Sequence, residues 1–412
     1  MATAQQPIEP SVLSAHSPRI ASIDVFRGLT MIVMIFVNDL ADIKGLPWWT
    51  YHAPGRAELM TCVDMVFPAF LFILGMAIPI ATEQRLRKDP SMLRLWGHLL
   101  LRSFSLLVLG LILANASAGD SALMGFNAHV WPIMALIGAM LFLLVYPRSS
   151  KYAKLFLVAR GLGLITVVVM FAIFRRTTRD GNVAWIRTGY PEILGLIAFT
   201  YFVVCLLYIP TRRWRWAPLA WFVALTAFCI TCAAGWVTFP QRMTLYQWPF
   251  SNGAMACITM AGVATSLVFV GPFSTLWSGF QSKLKFALPF AIACLVGGWL
   301  LTPLGISKIR ATPTWCLYCV GCFVLIFTLL YWLCDVKHRT RWARFTYAPG
   351  ANTLLTYLLP DLWYFFIAAF GITWFRDHFA WGAAGVVRAV LFTASMVAIA
   401  ELMTRAKLRL QL

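Results

Sequence analysis

Charge is what this sequence has least of, and acidic charge least of all: 412 residues carry 15 Asp and Glu against 34 Lys and Arg, while 60% of the chain is apolar. So little charge excludes a soluble globule, and repeated apolar runs near twenty residues mark segments that cross a bilayer. There is no Gly-rich phosphate loop of either familiar type, so no nucleotide contact can be named by motif. The opening stretch, MATAQQPIEPSVLSAHSPR, lacks the basic, apolar and small-residue order of a signal peptide, and the first apolar segment is expected to stay as an anchor. Cysteine is not scarce, but the outer loops carry no pair of cysteines, which excludes a disulfide framework there. Cys316, Cys319 and Cys322 have a spacing that would suit a metal in a soluble loop; inside an apolar run they read as a packing stripe, as do Cys229 and Cys232.

What is present is an all-α pattern. The fold class is a polytopic helical membrane bundle of eleven or twelve spans, with polar, interrupted helices lining a central cavity. Spans are expected at 24–40, 61–82, 97–115, 127–146, 154–174, 190–209, 217–237, 252–272, 286–302, 315–335, 349–370 and 382–404. Residues 1–20 form a cytoplasmic tail without order, and 21–412 form one integral-membrane domain.

The net charge of +19 invites a nucleic-acid reading, but topology accounts for it. With the N-terminus inside, the inner segments hold twenty Lys and Arg, among them Arg85, Arg94, Arg213, Lys337 and Arg344, and the outer loops hold ten. That bias places both termini in the cytoplasm and leaves no role for nucleic acid. The loop Arg175 to Arg187 runs against the rule. The remaining basic inner loops suit phosphates or anionic lipid heads.

The first hairpin, from Arg19 to Ile80, organises the rest. Asp24 and Arg27 stand at one end of its first apolar run, and Asn38 and Asp39 at the other, where lipid-facing helices carry no such groups. A polar loop presents His52, and the second run opens at Thr61 and Asp64. Two antiparallel spans bring Asn38, His52 and Asp64 to one membrane face, with Asp24 and Arg27 at the opposite face. Asp24 and Arg27 also suit an internal ion pair.

A histidine with an amide and a carboxylate near it can carry general acid–base or nucleophilic chemistry, which needs a proton acceptor and donors for developing negative charge. Histidine is the side chain that ordinarily titrates near neutrality, so His52 suits a base or a nucleophile. Asn38 suits a hydrogen-bond donor to a reacting oxygen or to the imidazole, and Asp64 the orienting carboxylate. Arg102 near an inner end fits either snorkelling or an anion. Gly350, Asn352, Pro360 and Asp361 interrupt a late apolar run, and Asn352 and Asp361 are expected to face the bundle interior. The aromatic loop from Gln241 to Asn252 suits a sugar-binding lining or interfacial anchoring by Tyr246 and Trp248. His52, His129 and His378 share the outer side but no ligand spacing, so no metal is expected. A secondary transporter or flippase would share the spans and the intramembrane polar residues.

The elements SIDVFRGLTMIVMIFVND, a loop histidine and TCVDMVFPAFLFILGMAI, with the late segment LLYWLCDVKHRTRWARFTYAPGANTLLTY, resemble the transmembrane acyltransferase family that includes heparan-alpha-glucosaminide N-acetyltransferase. The resemblance implies acetyl transfer from cytoplasmic acetyl-CoA to a sugar or amino sugar beyond a bacterial inner membrane. It implies His52, Asn38 and Asp64 as the catalytic set. Asp24, Arg27, Arg102, Lys337, Arg339 and Asn352 are the candidates for holding the CoA. Membrane lipid and a second copy of the chain, as a homodimer, complete the expected partners.

Overall fold

The computed structural model describes residues 20–147, 150–237 and 251–410. The expected tail and most of the aromatic loop before Asn252 lie outside the described residues. Twelve principal helices fill the rest: α1 Ala21–Leu40, α2 Val66–Lys88, α3 Met92–Asn115, α4 Val130–Leu143, α5 Ala153–Ile173, α6 Glu192–Thr211, α7 Ala217–Ala233, α8 Ala254–Phe269, α9 Gly279–Leu300, α10 Pro313–Tyr331, α11 Thr353–Ala369 and α12 Gly382–Arg405. Each overlaps one expected span. Among the described residues eight helical segments are long and apolar enough to cross a membrane, and four of the twelve helices, α4, α7, α8 and α11, are shorter and apolar. The protein is an all-α polytopic membrane protein. Among the described residues one small sheet pairs Arg176–Thr177 with Val183–Ala184 in antiparallel register.

The core is built around α8, every residue of which is buried. A helix apolar all round has no surface stripe to show and becomes the pillar that others surround. Its hydroxyls are satisfied locally, with Thr259 and Thr265 bonding to carbonyls one turn back and Ser266 reaching Met76 O at 2.8 Å. Against it α2 packs backbone to backbone. A Cβ on Gly75 would stand 1.8 Å from Thr259 O, and one on Gly262 would stand 2.0 Å from Phe72 O, so both positions require glycine for the approach. Phe26, Phe72 and Phe323 meet beside this contact, tying α1 and α10 to the same core.

Ties between loops fix the alternation of the helices. At one face, Lys44 and Trp381 form a bridge, Asn127 Nδ2 donates to Ala369 O, and Asn115 exchanges hydrogen bonds with the backbone of Arg187. At the other, Asp335 accepts from Ala21 N and Ser22 N, and Leu144 pairs with Leu410. The Arg175 to Arg187 loop therefore shares a face with the end of α3, and the span count around it is consistent. The expected interruption of the late run is present only in its first half: helix Tyr347–Ala351 stops at Asn352 and α11 starts at Thr353, but α11 then runs unbroken through Pro360 and Asp361.

Candidate active site

The site begins with a capped turn. Thr61 and Asp64 open the 3-10 turn Cys62–Met65 that leads into α2, and the Asp64 carboxylate accepts Thr61 N at 3.0 Å, the return bond of a capping box. The same carboxylate reaches back along the loop to Ala53 N at 3.1 Å and His52 Nδ1 at 2.8 Å. Its side chain is 2% exposed while that of His52 is 45% exposed. Trp315, fully buried on α10, donates Nε1 to Asp64 O at 3.2 Å and anchors the turn to the core. The loop before His52 is folded by Tyr51, whose hydroxyl donates to Ile43 O and accepts from Leu46 N.

This geometry selects a tautomer. A carboxylate only accepts, so Nδ1 carries the proton and Nε2 presents its lone pair on the open side. Lys308 Nζ lies 3.4 Å from the same Nδ1. A protonated Nδ1 cannot accept from an ammonium, so Lys308 acts there through the Asp64 charge rather than as a donor to the ring. Burial pushes the Lys308 ammonium down from the ordinary lysine range, while Asp64 and Glu192 pull it back up. The loop carrying Lys308 is fastened to the His52 loop by Glu58, which accepts Ile306 N at 2.8 Å and Arg310 Nη2 at 2.6 Å. These two bonds, the backbone one first, hold the Glu58 carboxyl below its usual range.

Other expected residues fall elsewhere. Asn38 is exposed and makes no hydrogen bond among the described residues; its neighbour Asp39 is the buried one. Asp39 accepts from Tyr364 Oη at 2.5 Å and from Arg388 Nε at 3.3 Å, forming a second polar node on the His52 side of the bundle. Asp24 and Arg27 form the expected pair at 3.6 Å, and Arg27 also donates to Gly350 O. Asn352, expected at the cofactor, is buried where α11 begins. Its amide donates to Thr404 Oγ1 and Leu408 O and its carbonyl accepts Leu410 N, so both its hydrogens are committed to holding the end of the chain. Lys337 lies over the Trp332 ring and Arg339 is exposed, both at the face of Asp24. Arg102 stacks on Tyr201, with the guanidinium 4.7 Å from the ring centroid. A groove of about 1180 Å³ runs along α1 and α12 from Asp24, Arg344 and Arg405 to Phe36, about one turn of α1 short of Asp39.

Sequence reasoning missed Lys308, Glu58 and Arg388 as partners of these groups. The Thr61 to Asp64 spacing was the available signal for the cap. Nothing local points to the other three, which act across more than two hundred residues.

Residues 19–254 match the model of a family described as a domain of unknown function, DUF5009. The chain belongs to this family. The DUF5009 match includes the whole first hairpin and ends where α8 begins, so Lys308, Trp315 and Arg388 lie beyond it. The chain is also similar to human heparan-alpha-glucosaminide N-acetyltransferase, with 40% identity over 103 residues, 25% of this chain and 15% of that protein. The mouse protein of the same name is 34% identical over 107 residues, 26% of this chain and 16% of the relative. The chain therefore spans well under a fifth of the length of these curated relatives.

Proposed function

We propose that this protein is a membrane acetyltransferase that takes acetyl from acetyl-CoA at one face and delivers it to a sugar or amino-sugar acceptor at the other. The observation that carries the reading is the His52–Asp64 pair: a buried carboxylate orients the ring and leaves Nε2 open on a fixed loop. The similarity to proteins named as N-acetyltransferases supports the same reaction class. In it, Nε2 takes the proton of the acceptor N–H or O–H as that atom attacks the thioester carbonyl. The C–S bond then breaks, and the proton passes to the leaving CoA sulfur. Asp64 is a positioning residue that stabilises the imidazolium formed on the way. Asn38, exposed at the end of α1, is the proposed donor to the carbonyl oxygen.

The two-to-one bias of Lys and Arg towards the Asp24 face supports placing that face, with both termini, in the cytoplasm; the membrane proposed is a bacterial inner membrane. The groove from Asp24 towards Phe36 supports entry of a pantetheine arm from that face.

The test uses purified full-length protein, radiolabelled acetyl-CoA and a panel of amino sugars and sugars. Acetyl transfer is expected to fall about a thousandfold or more in His52→Ala, and by about a hundredfold or more in Asp64→Asn, with CoA binding kept in both. Transfer at the wild-type rate by His52→Ala would overturn the proposal. Label retained on the wild-type protein without acceptor, and absent from His52→Ala, would identify a covalent acetyl-imidazole step.

A further inference from the structure

At the end of the bundle opposite His52, three basic side chains from two helices gather without an acid. Arg85 comes from the last turn of α2, and His98 and Arg102 lie one turn apart on α3. Residues four apart share a helix face, and helical side chains lean towards the helix start, so both α3 groups point to the end where Arg85 stands. Each acts on its neighbours: Arg85 and Arg102 both bear electrostatically on His98, and Arg102 on Arg85. On the third side stands Tyr201 of α6, under the Arg102 guanidinium.

Like charges this close repel, and in a half-buried site the repulsion is not screened as it is in water. The acids within reach are already engaged, Glu83 with Arg87 and Asp89 with Arg94. Among the described residues no carboxylate pairs with Arg85 or Arg102. Two of the groups also carry orphaned polar atoms: Arg102 Nε and His98 Nε2 are buried without a hydrogen-bond partner. An unpaired buried donor such as Arg102 Nε costs about 1–3 kcal/mol, more when charged, and His98 Nε2 is a second donor whenever it carries the ring proton, so a ligand that accepts from both removes that cost. A tetrahedral oxyanion accepts from several donors at once and balances the charge.

The geometry points to a phosphate-binding site formed by Arg85, His98 and Arg102, on the membrane face opposite His52. Its ligand is a phosphate ester, carried either by the nucleotide end of CoA or by the head of an anionic phospholipid. The site does not depend on acetyl transfer, because phosphate binding is read without turnover.

The experiment measures melting temperature of the purified full chain in maltoside detergent against CoA, dephospho-CoA and pantetheine. A second arm uses phosphatidylcholine nanodiscs with and without phosphatidylglycerol. Wild type is expected to be stabilised by a phosphate-bearing probe in at least one arm and not by pantetheine. Arg102→Gln and Arg85→Gln are expected to need about tenfold more of that probe or worse, the loss that removing a charge-assisted hydrogen bond brings. Arg94→Gln, whose partner is Asp89, serves as the control and should behave as wild type. Should Arg102→Gln fail to fold, the exposed Arg85→Gln carries the test. A response to CoA assigns the nucleotide as the source, and a response to phosphatidylglycerol alone assigns the lipid. Wild type indifferent to all phosphate probes, or both variants binding like wild type, would overturn the site. His52→Ala should keep the response, which separates failure of this site from failure of the proposed reaction.

Discussion

Asn38 and Asp39 are adjacent, yet the bundle exposes one and buries the other. Consecutive helical residues point about 100° apart, so burying Asp39 against Arg388 and Tyr364 turns Asn38 outward. The phase is set from 349 residues away, and nothing in the first hairpin announces it. His52 and Asp64 were legible for the opposite reason: they stand only twelve positions apart, in one loop whose closing turn carries a recognisable cap. Arg388 is the residue through which this account of α1 can be tested. Replacing it with Met leaves the Asp39 carboxylate buried without its cation, and unfolding in detergent should become easier by about 3–5 kcal/mol. Loss of less than about 1 kcal/mol would show that the pair is not what holds the end of α1.

The helices were legible as apolar runs, and their order along the chain follows from them. Which helices touch was not, because contact is decided by small residues on faces that hydropathy does not distinguish. The α2–α8 crossing depends on Gly75 and Gly262, and a side chain at either meets a backbone carbonyl, which cannot rotate away. Gly262→Val should destabilise the bundle by about 3 kcal/mol through forced separation of the two helices, read as a lower unfolding midpoint in a denaturing detergent series. Gly97 on α3 is the internal contrast. A Cβ there meets nothing within 4 Å, so Gly97→Ala should be neutral or stabilising by up to about 1 kcal/mol. Similar midpoints for the two variants would mean that close approach is not the reason for glycine at position 262. The broken helix around Asn352 was legible from its polar residues, but its purpose was not, since the groups it holds lie near the end of the chain.

Across the whole molecule, charge is distributed by face rather than by site. The ties that join the Arg175 to Arg187 loop to Asn115 and Asp120 keep a basic loop on the sparsely charged face, against the overall bias. The alternation of helices predicts an outcome for labelling. Cys62 is exposed in the turn that leads from the His52 loop into α2, and Arg94 lies at the start of α3 on the other face. In sealed vesicles of one orientation, a membrane-impermeant maleimide should modify Cys62 from one side only. A cysteine placed at position 94 in a Cys62→Ser background should react only from the other. Modification of both from the same side would break the twelve-helix alternation.

The carboxylate of Asp335 closes the amino end of α1 from 314 residues away. In synthesis α1 precedes Asp335 by the nine helices from α2 to α10. Until Asp335 is made the opening N–H groups of α1 have no acceptor from that residue, so this end of α1 is closed from within the bundle only when a late segment returns to it.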